Sequence, residues 1–189
     1  MELVVPLIIV GAIVLLIALA VGLYNGLVRR RVRVDEAWAQ IDVQLRRRHD
    51  LIPNLVNSVR GYMEHEQEVL TRVTEARANA VAAGAQGPAD AAQAENGLTQ
   101  TLRSLFAVME NYPDLKANQN VLSLQEELST TENQISFARQ HYNASVRDYN
   151  TSISTLPAVF VAGMFGFTAR EFFETEPEGR EVPEVQLRG

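Results

Sequence analysis

The first stretch of the chain contains no alternation of apolar and polar positions at all. Residues 3–28 carry no charge, and the segment LVVPLIIVGAIVLLIALAVGL is apolar on every side. About 20 such residues in a helix cross the roughly 30 Å hydrocarbon core of a bilayer, so this run is long enough to span one. Pro6 falls in the first turn, where a missing N–H costs little. Beyond residue 33 the pattern changes. Trp38, Ile41, Leu45, Ile52, Leu55, Val59, Tyr62, Val69, Val73, Ala76 and Ala80 recur at steps of three and four. Steps averaging about 3.5 keep one seam turned toward a partner helix at a shallow crossing angle. Pro53 interrupts the hydrogen bonding of this helix and predicts a kink near Arg48 and His49. Asp35 and Glu36 suit a helix start, should a break separate this segment from the apolar run.

Gly84 and Pro88 punctuate the stretch GAQGPADAAQAENG over 84–97, which reads as a connection; glycine can cap the preceding helix and proline can open the next. A second helix carries Leu98, Leu102, Leu105, Met109 and Tyr112, and stops before Pro113. A third repeats the seam at Val121, Leu124, Leu128, Ile135, Ala138, Tyr142, Val146, Tyr149, Ile153 and Leu156, and ends at Pro157. No segment alternates with the period of a strand. The expected fold class is therefore all-α: an N-terminal transmembrane helix followed by an antiparallel bundle of long helices. The expected organisation is an anchor at 1–28, a bundle at 29–174 and an acidic, extended tail at 175–189.

Charge adds a direction. Four arginines, Arg29, Arg30, Arg31 and Arg33, follow the apolar run at once, with Tyr24 at the expected interface, whereas only Glu2 precedes it. These five residues form the predicted membrane boundary. The positive-inside rule puts the amino terminus outside and the bundle in the cytoplasm, with the membrane crossed once. A cleavable signal peptide would have a basic start and a shorter apolar core. The absence of cysteine agrees with a reducing compartment. The net charge of −6 divides unevenly. Residues 29–60 hold eight arginines against four acidic residues, while 171–184 hold six glutamates against Arg180. The basic half lies beside the membrane, where lipid is the expected partner and nucleic acid is not.

Several stretches together resemble the LemA family: EAWAQIDVQLRRRHDLIPNLVNSVRGYMEHE, YPDLKANQN, LQEELSTTEN, YNASVRDYN and GFTAREFFE, in that order along almost the whole chain. The resemblance implies a bacterial, membrane-anchored helical protein with no assigned enzymatic activity. Its general context points toward membrane-protease or stress-response systems.

Candidate chemistry is sparse. His65-Glu66 opens like a zinc-protease helix, but position 69 is Val where a second histidine is needed. His49, His65 and His141 are scattered, cysteine is absent, and no Glu-x-x-His occurs for a di-iron bundle. No catalytic residue, cofactor or metal is expected. Arg48 and Glu66 lie on the first apolar stripe, about 27 Å apart along a straight helix. The expectation is that each snorkels outward, the alternative being that they set helix register or subunit contacts. Tyr142-Asn143 and Tyr149-Asn150 repeat at seven residues and are read as core tyrosines with bonded hydroxyls. Asn118, Asn120 and Asn133 are read as part of a polar ledge for interhelical hydrogen bonds. The apolar, glycine-interrupted stretch 157–173 exceeds what closing one end of a bundle requires. Phe165, Phe167, Phe172 and Phe173 are the candidate interaction surface, toward another subunit or the bilayer, with the acidic tail favouring protein. The functional expectation is a self-associating scaffold or adaptor that engages other membrane proteins, a membrane protease system among them. A lipid-binding or membrane-remodelling protein is the alternative.

Overall fold

The computed structural model describes residues 3–173; the expected acidic tail lies outside the described residues. Helix α1, Val4–Val59, runs 56 residues without interruption, about 84 Å at 1.5 Å per residue. Asp35 and Glu36 therefore lie inside one helix and cap nothing. The apolar run and the first seam share a single rod, because nothing between Tyr24 and Trp38 disfavours helix strongly enough to stop it. The described side chains over residues 3–22 are exposed, and α1 packs on the apolar cluster from Leu23 onward. It is the one helix among the described residues that is long and apolar enough to cross a membrane.

The first seam does not continue to Ala80 in one helix. The chain breaks over residues 60–66, where Gly61 and the polar run Glu64-His65-Glu66 favour a turn, and α2, Gln67–Ala83, follows. Glu66 precedes α2 and takes a hydrogen bond from the Tyr112 hydroxyl at 3.4 Å, so it is no longer on the stripe that holds Arg48. The connection expected over 84–97 shrinks to residues 84–87, because α3, Pro88–Met109, begins with Pro88 in its first turn. A short α4, Pro113–Ala117, leads into α5, Gln119–Ser154. Asn118 caps α5, its side chain accepting from the backbone N–H groups of Asn120 at 3.0 Å and Val121 at 3.3 Å. Its amide also donates to the Tyr62 hydroxyl at 3.5 Å, reaching the turn after α1. Helix α6, Ala158–Met164, is followed two residues on by Gly166, whose φ of +68° is open to glycine at little cost. Gly163 lies within α6.

Among the described residues the architecture is all helix, as expected, but four long helices, not three, run up, down, up and down. The α1–α5 pair extends the full length of the bundle, and the α2–α3 hairpin packs against its half farther from the anchor. Two apolar clusters result. One lies near the anchor around Leu27, Val34, Ile41, Val146, Tyr149 and Phe167. The other fills the distal half around Ile52, Leu55, Val73, Leu98, Leu105 and Leu115.

Pro53 removes the hydrogen bond that would close on the His49 carbonyl four residues earlier. Arg77 on α2 supplies the missing donor, its Nε lying 2.6 Å from that oxygen. The proline thus creates an acceptor that docks the second helix on the first.

Candidate functional site

Two arrangements use the polar and aromatic residues that the seams leave over. The first divides the two apolar clusters. Arg48 continues the α1 stripe and is 3 % exposed, so it is buried and does not snorkel. Its guanidinium donates to Glu95 of α3 at 3.1 Å and to Thr99 at 2.7 Å, and pairs with Glu132 of α5 at 3.2 Å. The other Glu95 oxygen lies 2.6 Å from His49 Nε2. A buried arginine costs several kcal/mol unless its donors are met, and here carboxylates and a hydroxyl meet them. Thr131, also buried, returns its hydroxyl to the Glu127 carbonyl at 2.7 Å. Between the two apolar clusters, α1, α3 and α5 thus bring buried polar residues to one level: Arg48, His49, Glu95 and Thr131. Glu95 was hidden because it falls in the stretch read as a connection. Extending the α3 stripe backward through Ala91, Glu95 and Leu98 places it on the seam, and that is the signal that finds it.

The second arrangement lies at the anchor end. Tyr24 packs edge-on against Phe165 and Phe167, with ring centroids 4.8 and 5.6 Å away. Arg31 sits over the Phe167 ring at 5.4 Å, and Arg30 pairs with Asp148 of α5 at 3.1 Å. Arg29 and Arg33 point outward, and the five residues predicted for the membrane boundary thus gather where the bundle begins. The four phenylalanines divide. Phe167 and Phe173 are buried, Phe172 is half-buried and Phe165 is 57 % exposed. Two of the four therefore do not contribute to the expected surface: Phe167 faces the α1 helix and Phe173 packs on Trp38 at 5.8 Å. Leu156, Phe160 and Met164 join Phe165 in the exposed apolar area.

The asparagine repeat explains why Phe173 turns inward. After α6 the chain runs extended along α5. Asn150 donates to the Arg170 carbonyl and accepts from the Arg170 N–H, both at 2.9 Å. Asn143 does the same for Phe173, at 3.3 and 2.9 Å. Each carboxamide replaces the peptide group that a neighbouring strand would offer. The spacing fits: seven helical residues rise about 10.5 Å and three extended residues cover about 10 Å. Tyr142 donates to the Glu171 carbonyl at 2.8 Å, and Arg170 pairs with Asp35 of α1 at 2.8 Å. The tyrosine hydroxyl is bonded, as expected of a core tyrosine, but the asparagines form a clamp on a C-terminal strap.

Burial pushes the Tyr142 hydroxyl up to about 12; Arg170 opposes the rise, and Glu171 and Asp35 add to it. Burial also raises Tyr149, with Arg170 and Arg31 opposing. A group held protonated in the folded state contributes stability below its unfolded value of 10.0 and loses it as pH climbs toward the folded value. Stability is expected to fall between pH 10 and about 12, and less steeply in Tyr142→Phe. Denaturant unfolding across that window checks this; identical slopes in the two proteins would contradict it.

The LemA family model matches residues 37–187. The chain is similar to magnetosome protein MamQ 1 of Paramagnetospirillum magneticum, 25 % identical over 192 residues that cover 89 % of this chain and 71 % of that protein. It is 24 % identical over 180 residues to magnetosome protein MamQ of Magnetospirillum gryphiswaldense, covering 82 % and 66 % of the two chains. Protein LemA of Metamycoplasma hominis is 26 % identical over 171 residues, covering 89 % and 77 %.

Proposed function

The chain belongs to the LemA family, and from that premise we propose that it is a membrane-anchored scaffold that presents its bundle to other membrane proteins and associates with copies of itself. The uninterrupted α1 is the observation that carries this reading. One helix enters as the apolar run and leaves as a core element of the bundle, so no hinge separates anchor from platform. A bundle held this way has a constant tilt and height above the lipid, which favours docking of neighbours in the same membrane. The interior polar groups support the same reading, because Arg48, Glu95 and the two asparagines are engaged in holding helices and strap together. No catalytic step belongs to the proposal. The bundle faces the cytoplasm of a bacterial inner membrane, with partners that include a membrane protease system.

Affinity capture of the intact protein from membranes in gentle detergent, with mass measurement of the particle, tests the scaffold. A particle of more than one copy with membrane-protein companions is the expected result; a single copy without companions contradicts it. Orientation is tested by cysteine at Phe137, an exposed position on a chain that has no cysteine of its own. Impermeant thiol reagents should leave it unlabelled in whole cells, and labelling without permeabilisation would reverse the topology.

A further inference from the structure

We propose that α6 is a second membrane contact, a short wedge whose outward face enters the same leaflet as the end of the anchor. The inference rests on α1 spanning the bilayer. Its occupant is the acyl and upper headgroup layer of the lipid.

Depth is the first argument. The uncharged run of α1 covers residues 4–28, about 37 Å of helix against a hydrocarbon core of roughly 30 Å. Its last turns lie where the bundle starts, and α6 packs there. Leu23, Tyr24, Leu27 and Val28 belong to the apolar cluster that also holds Val161, Ala162 and Phe167. Tyr24 touches Phe165 and Phe167, while Arg31 covers Phe167 from the next level up. The segment around α6 is thus bracketed between the last apolar turn of the anchor and the first arginines.

Chemistry is the second argument. Between Asp148 and Arg170 the chain has no charged residue. Val161 and Ala162 face the bundle, whereas Leu156, Phe160, Met164 and Phe165 are exposed at 74, 71, 79 and 57 %. Phe160 and Met164 are one helical turn apart and share a face. Exposed apolar side chains beside a span, with Arg31 over the neighbouring Phe167, match the acyl boundary and its anionic headgroups. The strap leads the chain away from this face. It runs back along α5, so by Phe173 the chain has already turned away from the lipid. With α1 and α6 both in the leaflet, the bundle would have two points of attachment and could not rotate about the anchor axis.

Single cysteines test this in the full chain reconstituted in phosphatidylethanolamine–phosphatidylglycerol nanodiscs. Spin labels at Phe160→Cys, Met164→Cys, Leu16→Cys and Phe137→Cys are compared for collisions with oxygen and with a water-soluble nickel chelate. Oxygen collisions should dominate at positions 16, 160 and 164, and nickel collisions at 137, where the native side chain is 70 % exposed on the bundle. Nickel dominance at 160 and 164 with oxygen dominance at 16 would overturn the wedge and leave the anchor standing. Poor access of both colliders at 160 and 164 would overturn it equally, because protein would then cover the face. Nickel dominance at 16 as well would remove the anchor reading and this inference with it.

Discussion

Replacing Glu95 by alanine is expected to lower the unfolding free energy by about 3–5 kcal/mol, the usual cost of removing one partner from a buried charge pair. Arg48 would lose its buried carboxylate and keep Thr99 and Glu132, the latter 46 % exposed, while His49 would lose its oxygen contact at 2.6 Å. The damage is larger than the value of any single hydrogen bond, because a guanidinium that is 3 % exposed would be left with its only carboxylate at the surface. Equilibrium unfolding of the detergent-solubilised protein measures it. The companion variant separates strength from specificity. Arg48→Met with Glu95→Leu is expected to recover most of the lost stability, since apolar side chains of similar volume replace buried ion pairs at little cost. A loss below about 1 kcal/mol in Glu95→Ala would mean that water reaches the layer through the open groove between α3 and α5, which Arg48 and Glu132 help to line.

Trp38→Ala is expected to cost about 3 kcal/mol, the lower end of the range for truncating a large buried aromatic. The reason for the lower end is structural. Trp38 is half-buried and not a core residue, because one side of it borders an open recess shared with Asp35, Pro88 and Arg170. On the other side its ring lies 5.5 Å from Tyr142 and 5.8 Å from Phe173, at tilted angles that suit aromatic pairs. Truncation therefore removes the apolar seat of the strap as well as packing between α1 and α5. Hydrogen exchange at the Phe173 amide should quicken in the variant, since its bond to Asn143 depends on the ring staying in place. Trp38→Phe should keep most of the stability. Unchanged exchange at Phe173 would show that the asparagine clamp suffices without the indole.

What periodicity and charge determine here is the kind of object: an apolar helix of spanning length that gives way, at Tyr24 and the arginines, to a set of amphipathic helices. Those features are local. An uncharged run of 26 residues is long enough to span a bilayer as a helix, and a 3.5-residue stripe needs a partner helix wherever it occurs. Helix count was not legible, because the turn at 60–66 is seven residues long. Seven residues are two turns of the stripe, so the apolar spacing passes through the break as if the helix continued. Glu95 was missed for a related reason: glycine, proline and alanine around it signal a connection, yet Pro88 opens a helix and alanines allow close approach to α1.

The pairing of Arg48 with Glu95, 47 residues apart, and of Asn143 with Phe173, 30 apart, exists only once the helices are assembled. A stripe says that a residue faces inward, but not what it meets there. The same limit governed the phenylalanines. Composition shows that they are too many for one end of a bundle; only the packing shows which are spent inside, at Phe167 and Phe173, and that Phe160 and Met164 beside them stay uncovered. Burial depends on what the rest of the chain brings to each side chain, and local pattern does not contain that.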